Sequence, residues 1–95
     1  MKMSELKFTP VYGNGKQALV DFGKYEMSIV SHEHSYGGKN GLYEIAIFEG
    51  NNQVELPGIT EEGDTVKGFL RTDDVDVLFK KMFVITGSEG TQIGV

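Results

Sequence analysis

Cysteine is absent from these 95 residues. That excludes a disulfide framework, a thiolate zinc site, an iron–sulfur cluster and a cysteine nucleophile. No apolar run approaches the roughly 20 residues that a membrane-spanning helix needs. The start, Met1-Lys2-Met3-Ser4-Glu5-Leu6-Lys7-Phe8, lacks the continuous apolar stretch of a signal peptide, so the expected location is cytoplasmic. Basic residues are in deficit, nine against fourteen acidic ones, for a net charge of −5. That sign disfavours a broad grip on nucleic-acid phosphates or on an anionic membrane, and neither is expected as a direct partner. Histidine occurs only twice, in one triplet, and no GxSxG elbow is present, which leaves little from which to build a nucleophile and its base.

What is present describes one globular domain spanning residues 1–95, with hydrophobic residues at 39% and charged residues at 24%. Residues 1–15 and 86–95 read as flexible ends. Two prolines stand against thirteen glycines, a balance that favours short strands joined by tight turns. Alternation with a period of two marks Gln17 to Phe22, with Ala18, Val20 and Phe22 on one face. It marks Tyr25 to about His32, with Tyr25, Met27 and Ile29 on one face, and Gly23-Lys24 joins the two as a hairpin. It marks Leu42 to Phe48, with Tyr43, Ile45 and Ile47 together. Glu49-Gly50-Asn51-Asn52 is a turn, Gln53 to Leu56 a fourth strand, Ile59 to Thr65 an exposed loop and Val66 to Leu70 a last short strand.

The period changes after Thr72. Val75, Leu78, Phe79, Met82 and Phe83 recur at the spacing of an amphipathic helix, which predicts a helix over about 73–84 with Thr72 as its cap. Asp73 and Asp74 sit near the positive end of its dipole, Lys80 and Lys81 toward the negative end. The expected fold is α+β: an antiparallel β-sheet of about four to five strands with one C-terminal amphipathic helix packed on one face.

Charge is unevenly placed. Residues 49–76 carry Glu49, Glu55, Glu61, Glu62, Asp64, Asp73, Asp74 and Asp76 against only Lys67 and Arg71. Folded onto one surface, these acids would attract a basic partner; the plainer reading is a solvated face that aids solubility. His32-Glu33-His34 is the most metal-like triplet, because residues two apart on a strand share a face, although two ligands do not complete a zinc site and Glu33 would point away. Two glycine loops, Tyr12-Gly13-Asn14-Gly15-Lys16 and Ser35-Tyr36-Gly37-Gly38-Lys39-Asn40-Gly41, superficially resemble phosphate cradles. Neither matches a Walker or dinucleotide pattern, so the first reads as a turn and the second as a flexible hairpin connection. The aromatic residues, Tyr36 and Phe69 among them, read as core rather than as a base-stacking surface, since their surroundings are neutral to acidic.

The runs Tyr25-Glu26-Met27-Ser28-Ile29-Val30, Tyr43-Glu44-Ile45-Ala46-Ile47-Phe48, Asp64-Thr65-Val66-Lys67-Gly68-Phe69-Leu70 and Asp73-Asp74-Val75-Asp76 together resemble short uncharacterised accessory proteins of tailed bacteriophages and prophages. The resemblance implies a phage origin and a bacterial cytoplasm as workplace; it brings no activity or catalytic residue. The leading expectation is a non-enzymatic interaction protein without a cofactor. It would bind a basic protein through the eight acidic residues, and DNA mimicry is one form this could take. The alternatives are a metal-binding module or metal-dependent enzyme built on His32 and His34, and an oligomeric structural or virion-assembly protein joined through a strand edge.

Overall fold

Met27 and Ile29 of β3 (Glu26–Ser31) stand opposite Val20 and Ala18 of β2 (Gly15–Asp21) on one side and Ile47 and Ile45 of β4 (Tyr43–Glu49) on the other. All six side chains are buried, so the alternation seen in the sequence becomes one continuous apolar sheet face. The structure, a computed structural model, describes residues 1–94. The fold is α+β, with one antiparallel sheet of seven strands and one α-helix among the described residues.

The seven strands exceed the four to five expected. Two pairs share an edge. β1 (Thr9–Val11) pairs with the first half of β2, and β7 (Thr91–Ile93) pairs with its second half. Likewise β5 (Asn52–Gln53) and β6 (Val66–Leu70) pair with different parts of β4. The sheet is therefore five strands wide. The two additional strands come from the segments read as flexible ends, and Val95 of that reading lies outside the described residues. Three-residue strands are too short to leave an alternation signal. These two are held by pairing with β2 and by each other's neighbourhood: Lys7 N–H donates to Gln92 Oε1 at 2.9 Å, and Gln92 Nε2 donates back to Lys7 O. Met3 is buried in the core, ahead of β1.

The helix α1 runs over Thr72–Thr86, slightly longer than expected. Val75, Leu78, Phe79 and Met82 are buried against the sheet, with the Phe79 ring 6.1 Å from that of Phe22. Phe83, placed in the same stripe by spacing, is 45% exposed. At 100° per residue it lies about 80° around the helix from Val75, off the centre of the buried arc. Thr72 is the first helical residue rather than the cap. The cap position is Arg71, whose N–H donates to Asp74 Oδ2 at 2.8 Å, so an acid three residues into the helix closes the start. Gly87, at φ +76°, ends the helix by donating its N–H to Phe83 O at 2.7 Å. The β-branched residues Val84 and Ile85 do not stop it, since their helix cost is a few tenths of a kcal/mol, on the order of 0.5 each. No helix among the described residues is long and apolar enough to cross a membrane.

The 54–65 segment also departs from expectation. β5 covers only Asn52–Gln53, so Leu56, expected in that strand, reaches the core from outside it, and the loop expected to be exposed sends Ile59 into the core. Thr60 is buried too: its hydroxyl accepts from Leu56 N–H at 3.0 Å. A lone isoleucine in an acidic stretch carries no periodic signal, so this anchorage is a tertiary effect.

Candidate functional site

Strand β6 contains an irregularity that shapes the surface beside it. Val66 stands opposite Ala46 and Lys67 opposite Ile45, but Leu70, not Phe69, stands opposite Tyr43. One extra residue is accommodated, a β-bulge. Leu70 thereby reaches the core at 4% exposure, and Phe69 is turned out at 63%. Phe69 takes φ +57° to do so. For a bulky L residue that backbone region costs on the order of 1–3 kcal/mol.

Tyr36 lies against this bulge because Gly68 leaves room for it: a Cβ on Gly68 would collide with Tyr36 Cβ. Phe69 N–H donates to Tyr36 O at 3.1 Å, and Tyr36 N–H donates to Glu44 Oε1 at 3.2 Å. The Tyr36 and Phe69 rings are near-parallel, 23° between planes, with centroids 6.3 Å apart. Tyr36 is 57% exposed. Both rings are thus largely exposed to water, where the sequence reading places them in the core.

The neighbouring acidic loop is pinned rather than loose. Leu56 and Ile59 anchor it below. Glu61 N–H donates to Val66 O at 3.0 Å, Gly63 N–H to Glu55 Oε2 at 2.7 Å and Thr65 N–H to Asp64 Oδ1 at 2.7 Å. Glu61 and Asp64 share with Tyr36 and Phe69 a cleft of about 200 Å³. Lys67 Nζ lies 3.8 Å from Glu61, an exposed pair of little energetic weight. On the other side of Phe69, Asp74 lines a second cleft together with Lys67 and Lys81.

The eight acids singled out from the sequence are therefore divided. Glu61 and Asp64 meet at the aromatic pair, Asp74 lies just beyond it, and Glu55 and Glu62 belong to the same loop. Glu49 sits at the opposite end of β4, 3.8 Å from Lys24. Asp73 and Asp76 line a groove against the start of the chain, where Asp76 Oδ1 accepts the Met3 N–H at 2.7 Å.

The histidines are placed differently from the strand reading. β3 stops at Ser31, so His32 opens a turn and the two-residue alternation no longer applies. His34 N–H donates to His32 Nδ1 at 3.1 Å, and the ring centroids are 6.3 Å apart. Glu33 does not point away: its Oε1 is 3.3 Å from His34 Nε2. Among the described residues no group of three or more histidine, aspartate or glutamate side chains is placed to hold a metal ion.

The two glycine loops come together in space and line a pocket of about 380 Å³ with His32 and Lys39. Their glycines have a packing cause. A Cβ on Gly15 would meet His32 Cβ, and one on Gly38 would overlap the His32 carbonyl oxygen. The second loop is wound into a 3₁₀ turn over Gly38–Asn40, with the Ser35 hydroxyl accepting from His32 N–H at 3.0 Å and donating to His32 O at 2.9 Å. No family model, curated protein or solved structure matches this chain.

Proposed function

We propose that this chain is a non-enzymatic interaction protein whose acidic loop, Glu55 to Asp64, with Asp74 beside it, docks a basic segment of another protein. One observation carries the reading: a loop bearing four carboxylates is pinned to the core at the rim of an exposed aromatic pair. Exposed apolar area rimmed by charge is the composition of a docking surface, and carboxylates around it speed and select the encounter with a cationic partner. Solubility alone would explain the charge but not an aromatic pair held outward through an unfavourable backbone angle. The edges of the sheet favour side-chain docking over strand addition. β1 and β7 offer three residues each, Pro10 lacks an N–H, and β6 is bulged. The setting that suits this reading is a phage or prophage product acting on a host or phage protein in a bacterial cytoplasm.

The test is retention of bacterial lysate proteins by the immobilised chain, compared with a Glu61→Gln, Glu62→Gln, Asp64→Asn variant. The native chain is expected to hold a basic protein at low salt, and the variant to hold it roughly tenfold more weakly, the equivalent of about 1.4 kcal/mol. Equal retention by both at every salt concentration would reject the acidic loop as the docking surface.

A further inference from the structure

We infer that Tyr36 and Phe69 form the receiving platform for an arginine side chain of the partner, with Glu61 and Asp64 placed to take its guanidinium. This assignment rests on the reading of the acidic loop as a docking surface. Three observations support it, and the second selects arginine over lysine.

The first is what the other aromatic faces already have. Lys16 Nζ stands 5.1 Å from the Phe8 ring centre and 5.3 Å from that of Tyr43, and Lys24 Nζ stands 5.5 Å from that of Tyr25. The fold therefore covers three of its aromatic faces with its own cations. Among the described residues no cation lies over Tyr36 or Phe69; their cleft has Glu61 and Asp64 in its lining, and the Lys67 that stands 3.8 Å from Glu61 forms only an exposed, weak pair that a guanidinium can displace. An ammonium or guanidinium from outside would complete the same arrangement.

The second is shape. The cleft holds about 200 Å³, below the roughly 300–1,000 Å³ of small-molecule sites, so it suits one inserted side chain. Its lining is two near-parallel rings, Glu61 and Asp64, with Val66 and Gly68 of β6. Guanidinium is flat, weakly hydrated and forked, so it stacks on a ring while donating in its plane to carboxylates. An ammonium is a compact, strongly hydrated point charge that gains less from the rings. The third is preorganisation. Phe69 is held outward by the bulge, by its N–H bond to Tyr36 O and by the close approach of Tyr36 to Gly68, so little ordering cost remains on this chain's side of the contact.

The decisive variant is Phe69→Gly. Glycine accepts φ +57° without strain, and the ring it removes is mostly in water, so the melting temperature should stay level or rise. Binding is read by fluorescence anisotropy with three probes: an oligoarginine peptide, an oligolysine peptide of equal length and an oligothymidylate. The native chain should bind oligoarginine on the order of tenfold more tightly than oligolysine. Phe69→Gly should erase that preference and leave oligolysine binding in place, and Phe69→Tyr should restore it. Tyr36→Ala should weaken the preference in the same direction. If Phe69→Gly keeps the preference, the platform is wrong while acidic docking stands. If the native chain binds neither peptide, both readings fall together. Tighter binding of oligothymidylate than of either peptide, lost in Phe69→Gly, would overturn the arginine assignment in favour of base stacking.

Discussion

Phe79→Ala should remove a large share of this domain's stability. The side chain is 3% exposed, packs beside Phe22 and belongs to the stripe by which α1 is seated on the sheet. Truncating a buried phenylalanine costs about 3–5 kcal/mol, part lost burial and part the void left behind. A domain of this length holds in total only about 5–14 kcal/mol. Met27 and Met82, both fully buried, are flexible enough to refill some of the space, which points to the lower half of that range. At about 4–8 °C per kcal/mol, the melting temperature should still fall by roughly 12–30 °C. Phe83→Ala is the matched comparison, because that ring is 45% exposed. It should cost about 1 kcal/mol or less. Urea midpoints at unchanged slope would measure both; equal losses would mean that α1 is not seated on the face described.

Gly38→Ala is expected to be damaging for the opposite reason, too little space. The glycine has an ordinary backbone angle, so its requirement is space. A methyl group there would overlap the His32 carbonyl oxygen and come within 2.5 Å of Ser35 Oγ. Neither can retreat cheaply. The Ser35 hydroxyl is bonded to both the N–H and the carbonyl of His32, and Gly38 N–H itself donates to Ser35 O at 3.1 Å. The turn must open, at about 1–3 kcal/mol or more for forced overpacking. Gly41 supplies the contrast: its φ is +74°, and an added Cβ would meet nothing within 4 Å. Gly41→Asn should therefore stay within about 1 kcal/mol of the native chain, since asparagine tolerates the left-handed region. Denaturation midpoints for the two variants separate crowding from backbone angle. A silent Gly38→Ala would mean that the turn does not press on His32.

The parts of the fold that could be read from the sequence were those carried by periodic burial. Val20, Met27, Ile29, Ile45 and Ile47 are spaced by two and lie in the core, and Val75, Leu78, Phe79 and Met82 follow the helical period and cover them. The end strands could not be read, because three residues hold no period and the pairing partner is far away in sequence. Phe69 was misread for a different reason. Strict alternation puts it with Lys67 on one face, and only the bulge moves Leu70 into its place. Gly68 was the available signal: an isolated glycine inside a strand marks a bulge or a close backbone approach, and here it marks both. Tyr36 could not be linked to Phe69 from the sequence, since its glycine loop returns to β6 through tertiary contact alone. The acidic excess was plain, but its division between the aromatic cleft, the Lys24 turn and the groove by the chain start depends on where the loop is pinned.

The proposed docking surface of exposed rings and pinned acidic loop can be mapped directly. Backbone amide shifts of the labelled chain, followed by NMR through a titration with oligoarginine, should move most at Tyr36, Glu61 to Asp64 and Val66 to Phe69. Shifts centred instead on Gly13 to Gly15 and Gly38 to Gly41, or on the groove of Asp73 and Asp76, would contradict the account.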